Sequence, residues 1–193
     1  RAGEHITTAF GGKEAVSDVS CQGGAGDLFG LLGPNGAGKT TTIRLILDIL
    51  KADRGQITVL GGPLTEAKKN RIGYLPEERG LYRKMKVFDQ LVFLGEVKGM
   101  SSSQAKAKAD SWLTRLGLSD WRLKRVEDLS KGMQQQIQFA GTLLHDPKLV
   151  ILDEPFSGLD PVNMQVRKDG GVEIARSGGT VLFSPHIMGQ AER

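Results

Sequence analysis

The chain of 193 residues has a single cysteine, Cys21, and only 6% aromatic residues. One thiol excludes an internal disulfide and fits a reducing compartment. No apolar run approaches the ~18 residues of a membrane-spanning helix, and no charged-then-apolar leader opens the chain. A soluble protein, or one held at a membrane only through a partner, is expected. Internal repeats and low-complexity linkers are missing, and so are sustained heptads, which argues against a long coiled coil. The net charge of +4 and pI near 9.2 would suit nucleic acid. The basic residues are dispersed, however, with small clusters at Lys68, Lys69 and Arg71 and at Arg122, Lys124 and Arg125, and no aromatic platform accompanies them. What remains, 39% hydrophobic and 25% charged, is enough for one real core with room for a smaller subdomain.

Against this background two stretches carry chemistry. GPNGAGKTT runs through Gly33, Pro34, Asn35, Gly36, Ala37, Gly38, Lys39, Thr40 and Thr41. It fits the phosphate-loop pattern G-x-x-x-x-G-K-[ST] and stands where that pattern works, between apolar DLFGLL and helix-like TTIRLILDIL. Glycines let the loop N–H groups turn inward around phosphate oxygens, and the helix N-terminus adds partial positive charge. Lys39 would reach the β and γ phosphates of a nucleotide, and the Thr40 hydroxyl would ligate Mg²⁺.

The second stretch, LVILDEPFSGLDP, runs an apolar strand into Asp153 and Glu154. Carboxylates at the tip of a buried strand are costly without a positive partner. A Mg²⁺ held by a loop hydroxyl takes such a carboxylate as its second protein contact, which gives Asp153 a role. Glu154, one residue further, points elsewhere and would serve as general base or water-orienting group for γ-phosphate hydrolysis. The bland alternative is a pair of acids meeting solvent at a strand end.

The rest of the chain reads as short β pieces with glycine turns (EHITTAF, AVSDVS, DLFGLL), then QITVLGG as a strand with Gly55 before it as a helix stop, then RIGYLP ending at Pro76. Helical patterns occupy VFDQLVFLGEVKG, SSQAKAKADSWLTRLG with a serine cap and Gly117 as stop, and KGMQQQIQFAGTLLHD. Strands return at KLVILD and TVLFSP. Between them PVNMQVRKDGGVEIARSGG is a helix with Pro161 in its first turn and a kink or weak spot expected at Gly170 and Gly171. An α/β nucleotide-binding unit with a helical insert fits this order.

LSKGM, from Leu129 to Met133, starts a helix with Ser130 and Gly132 and would be a second anion site. Alone, Ser130 reads as a helix N-cap. Taken together, the motifs resemble those of the ATP-binding subunits of ABC transporters over essentially the whole chain. GPNGAGKTT is similar to the Walker A loop, LVILDE to Walker B, LSKGM to the signature LSGGQ, SGLD (Ser157 to Asp160) to the D-loop, and His186 in FSPHIM to the switch histidine. The resemblance implies an α/β P-loop NTPase of the ABC ATPase type, with an N-terminal antiparallel β subdomain and a helical subdomain inserted in the core. It implies a single domain over 1–193, with 1–76 and 147–193 as catalytic core plus β subdomain and 77–146 as helical subdomain. Its cofactors would be ATP and Mg²⁺.

The same resemblance implies two copies paired head to tail, with Ser130 and Gly132 facing the partner's ATP and Asp160 at the crossing contact. His186 would hold the γ-phosphate and the water near Glu154. Phe10 resembles the aromatic that stacks on adenine, with a packed core phenylalanine as the alternative, and Val16 would line the same pocket. Glu77 stands where the family has a glutamine near Mg²⁺, Lys131 and Met133 replace a glycine and a glutamine, and Pro185 replaces a threonine or serine. PEERGLYRKMKV resembles a bacterial subgroup serving ABC-2 type exporters, including sodium and drug efflux systems. The implied partners are a second ATP-binding subunit and an integral membrane permease, with no nucleic acid. The implied location is cytoplasmic, peripheral on the inner face of the cell membrane. A switch module with little turnover and a soluble non-transport ATPase are the alternatives. The chain stops at Arg193, soon after His186, and opens on Arg1, so a domain truncated at its C-terminus is expected.

Overall fold

The computed structural model describes residues 3–10, 13–77, 80–155 and 161–184. The antiparallel strands β1 (Gly3–Phe10) and β2 (Lys13–Cys21) come first, then β3 (Leu28–Gly30), helix α1 (Lys39–Ile46), β4 (Arg54–Ile57), the one-turn α2 (Glu66–Lys69) and β5 (Ile72–Leu75). Helices α3 (Val87–Val97), α4 (Ser102–Arg115) and α5 (Lys131–Leu143) follow, then β6 (Leu149–Asp153), α6 (Pro161–Arg176) and β7 (Thr180–Ser184). The strands sort into an antiparallel sheet, β2-β1-β4, and a parallel sheet, β3-β7-β6-β5. This is the expected fold class, mixed α/β with an antiparallel sheet near the N-terminus and helices inserted between β5 and β6.

The parallel sheet is buried on both faces, which is why its strands are nearly continuous apolar runs. Alternation divides each strand between two cores. Ile151 and Leu182 pack with Ile43 and Ile46 of α1. Val150, Leu152 and Val181 pack with Phe139 and Leu143 of α5. The inserted helices have an apolar core of their own around Leu91, Leu113, Val126, Ile137 and Leu144. Helix α4 starts as its sequence suggests: the Ser101 hydroxyl accepts from the Gln104 N–H at 3.3 Å while Gln104 Oε1 accepts from the Ser101 N–H at 3.1 Å. Gly117, at φ +67°, stops it.

Three local readings change. Gly55 lies inside β4 at φ +92° rather than before a strand as a helix stop; Thr7↔Arg54 and Glu4↔Gln56 pair β4 with β1. Helix α1 ends at Ile46 instead of running through ILDIL, because Asp48 takes the left-handed conformation at φ +59°, which a short polar side chain tolerates. Helix α6 runs unbroken through Gly170 and Gly171.

Their roles differ. A Cβ on Gly170 would lie 2.7 Å from Phe139 Cζ, whereas one on Gly171 would meet nothing within 4 Å. Gly170 is therefore what lets the helix sit on the Phe139 ring. Gly170→Ala is expected to destabilise the fold by about 1–3 kcal/mol through overpacking. Gly171→Ala should stabilise it by about 1 kcal/mol through helix propensity. Urea unfolding of the two variants checks both signs.

One polar node joins the inserted helices to the sheet. Lys98, capping α3, donates to the Ile72 carbonyl at 2.9 Å and to the Lys69 carbonyl at 3.1 Å. His145 Nε2 meets the same Ile72 carbonyl at 3.2 Å, so the ring carries its proton there, and among the described residues Nδ1 is buried without a partner. Burial, and next the Lys98 charge, push the His145 pKa from 6.5 down to about 4. The unfolded chain thus binds the proton more readily than the folded one. His145 contributes its full stabilisation above pH 6.5 and loses it as pH falls toward 4, about 3 kcal/mol at most. His145→Gln should flatten that part of a stability profile taken between pH 7.5 and 4.

Candidate nucleotide site

The carboxyl ends of the parallel strands converge on one edge of the sheet, where open α/β folds place their ligands. Strand β3 enters the glycine loop directly, and the bond from Leu31 N–H to the Phe183 carbonyl, 2.8 Å, extends its pairing with β7 up to the loop. Gly36 and Gly38 take φ +78° and +83°. Gly38 is constrained twice, since a Cβ there would lie 2.4 Å from the Ala15 carbonyl oxygen. As N-cap of α1 it offers no side chain to the first turn, and that turn holds no acid, so an anion is the natural complement to its N–H groups. Thr40 and Thr41, half-buried, open the helix, and the Thr42 hydroxyl bonds back to the Gly38 carbonyl at 2.9 Å.

Lys39 is only 8% exposed, and its ammonium donates to the carbonyls of Gly33 at 2.8 Å and Pro34 at 3.0 Å. Those carbonyls hold the cation against its own loop; phosphate oxygens would be stronger acceptors for it. Pro34, Asn35, Gly36 and Ala37 form the exposed crest, and Gly33 is half-buried.

Asp153, 2% exposed, ends β6 opposite Ser184 of β7. The buried Ser184 hydroxyl donates to Asp153 Oδ1 at 2.5 Å. Burial of the nearby Tyr74 phenol, and next the Asp153 charge, raise the phenol's pKa. Glu154 leaves the strand at φ +48°, with its N–H bonded to the Ser184 carbonyl at 3.1 Å and to its hydroxyl at 3.2 Å. The hydroxyl of Thr40 and the carboxylate of Asp153 are hard oxygen donors, a set that fits Mg²⁺.

Of the other sequence-derived residues, Glu77 is exposed just past β5. Ser130 is exposed as the N-cap of α5, its hydroxyl accepting from the Met133 N–H at 3.2 Å, and Gly132 is half-buried in the first turn. Val16 is 4% exposed and packs with Ile6 and Leu45, on the side of the loop that Gly38 approaches. Phe10 closes β1, and its side chain lies outside the description. Asp160, Pro185 and His186 lie outside the described residues. Sequence reasoning did not single out Ser184, whose signal was a polar residue closing an apolar strand. Nor did it single out Arg167, a charge within the apolar stripe of α6 formed with Val166, Gly170 and Ile174.

A glycine loop between a strand and a helix, with an acid-tipped strand one strand removed in the same parallel sheet, defines a P-loop nucleotide-binding domain. The sequence model of the ABC transporter family matches residues 16–157, and the chain belongs to that family. It is 50% identical over 189 residues to an uncharacterized ABC transporter ATP-binding protein, YhaQ, of Bacillus subtilis (strain 168), covering 98% of this chain and 63% of that protein. It is 38% identical to the Nod factor export ATP-binding protein I of Rhizobium meliloti (strain 1021), over 97% of this chain and 57% of that one. A solved structure described as the ATP binding subunit of an ABC transporter superposes with a TM-score of 0.91 at 29% identity, covering all of this chain and 81% of that one. The chain thus spans less than two thirds of the length of these two relatives.

Proposed function

We propose that this chain binds and hydrolyses ATP to power a separate membrane permease. The observation that supports this best is that the Gly33 to Thr41 loop, after β3, and the Asp153–Glu154 turn, after β6, leave the same edge of the parallel sheet with only β7 between their strands. In this reading Lys39 and the loop N–H groups bind the phosphates, with Thr41 beside them. Thr40 and Asp153 would hold Mg²⁺, with Glu77 nearby; the ion supplies charge neutralisation on the phosphate oxygens. Ser184 fixes the Asp153 carboxylate. Glu154 takes a proton from the attacking water as general base. Phe10 and Val16 are assigned to the adenine side, and His186 to the γ-phosphate.

Residues 77–146 form the helical subdomain, and 1–76 with 147–193 the catalytic core and β subdomain. Ser130, Gly132 and Asp160 act across a head-to-tail pair of copies, each presenting the α5 N-terminus to the other's nucleotide. The Nod factor export relative and the PEERGLYRKMKV segment favour export. No helix among the described residues is long and apolar enough to cross a membrane, in keeping with attachment to the inner membrane face through the permease. Hydrolysis measured against protein concentration tests the pairing: the rate should rise more steeply than linearly. A linear rate would count against a shared site, and failure to bind ATP would sink the nucleotide reading.

A further inference from the structure

Arg167 lies within α6, 7% exposed, and among the described residues its partners are backbone carbonyls rather than a carboxylate. One guanidinium nitrogen donates to the Pro155 carbonyl; the other makes a long contact, 3.5 Å, to the Gln135 carbonyl of α5. The guanidinium carbon stands 5.8 Å from the centroid of the Phe139 ring. An apolar residue would fill this space without desolvating a charge. What it could not do is reach two carbonyls on different elements with one rigid fork.

The first of those carbonyls follows Glu154 by one residue. Glu154 holds φ +48°, a region sparsely populated by residues other than glycine, which persists only where the surroundings fix it. On its amino side the fixing is done by Ser184, through the Glu154 N–H. On its carboxyl side it is done by Arg167, through the Pro155 carbonyl. The other end of the fork rests on the helix that begins at Ser130.

We propose that Arg167 is a positioning residue for hydrolysis: it clamps the Glu154–Pro155 turn and so sets the Glu154 carboxylate, while tying that turn to the signature helix α5. The proposal rests on the reading of Glu154 as general base. It concerns the turnover step and not nucleotide capture, because no contact of Arg167 reaches the Gly33 to Thr41 loop among the described residues.

The test uses the full chain and compares Arg167→Met, which keeps bulk and loses the donors, with Arg167→Lys, which keeps one. Steady-state ATP hydrolysis and ATP affinity are measured for both, for Glu154→Gln, and for Arg167→Met combined with Glu154→Gln. A displaced catalytic group typically loses rate on the order of tenfold to a hundredfold. Arg167→Met should show that loss in kcat with KM and ATP affinity within about twofold, and Arg167→Lys should recover part of it. In the Glu154→Gln background the Met substitution should remove nothing more, because Arg167 acts through Glu154. A parent-like kcat in Arg167→Met, beside an inactive Glu154→Gln, overturns the proposal alone. So does a joint fall of kcat and ATP affinity with no recovery in Arg167→Lys, the mark of a merely structural role. Parent-like turnover in Glu154→Gln removes the general base itself, and the proposal with it.

Discussion

Glu154→Gln is expected to lower ATP turnover by about 10²–10⁴-fold, the usual contribution of a positioned general base. ATP binding should survive. The substitution keeps the shape of the side chain and exchanges only its capacity to accept a proton. It leaves intact what holds the position, the N–H bonds to the Ser184 carbonyl and hydroxyl. Asp153 keeps its own bond to the Ser184 hydroxyl, so the oxygen donors assigned to Mg²⁺ are unaffected. A variant that binds but does not turn over should also accumulate the ATP-closed pair of copies, visible as a larger species in size-exclusion chromatography with ATP and not with ADP. Turnover within a few-fold of the parent would place the base elsewhere.

The parts of this site that could be read from the sequence are those written in consecutive residues. The loop from Gly33 to Thr41 and the pair Asp153–Glu154 each announce their chemistry by residue type and by the apolar runs around them. A serine cap before α4 and Gly117 after it were legible for the same reason, since each acts over one turn; which serine caps, Ser101, and its partner Gln104 came from the structure. Other features depend on neighbours brought in by topology. Ser184 matters because β7 pairs in register with β6, and nothing local states that. Gly38 is legible as a motif glycine, but its second constraint shows only when Ala15, from a different sheet, is found where its Cβ would go. Gly170, which reads as a flaw in α6, is accounted for by the Phe139 ring on α5. Gly55 misled because positive φ inside a strand and positive φ at a helix stop make the same demand on the residue.

Lys39→Met should weaken ATP binding by about tenfold to 150-fold, the range expected when a hydrogen-bonded charge is removed from a largely desolvated site. The ammonium is 8% exposed and already paired with two carbonyls, Gly33 at 2.8 Å and Pro34 at 3.0 Å. Moving it onto phosphate oxygens exchanges neutral acceptors for charged ones at little further desolvation, which is why its contribution to affinity should be large. Methionine fills the space but takes the ammonium away from the Gly33 carbonyl, while the Pro34 carbonyl keeps the Ala37 N–H at 3.2 Å, so some loss of stability accompanies the loss of affinity. Arginine would not be a conservative replacement, since its planar fork differs in shape and donor geometry from the compact ammonium that reaches both carbonyls. Fluorescence titration with a labelled ATP, at a temperature where circular dichroism shows each variant folded, separates the two effects. A folded Lys39→Met that binds ATP like the parent would show that the loop N–H groups carry the phosphates alone.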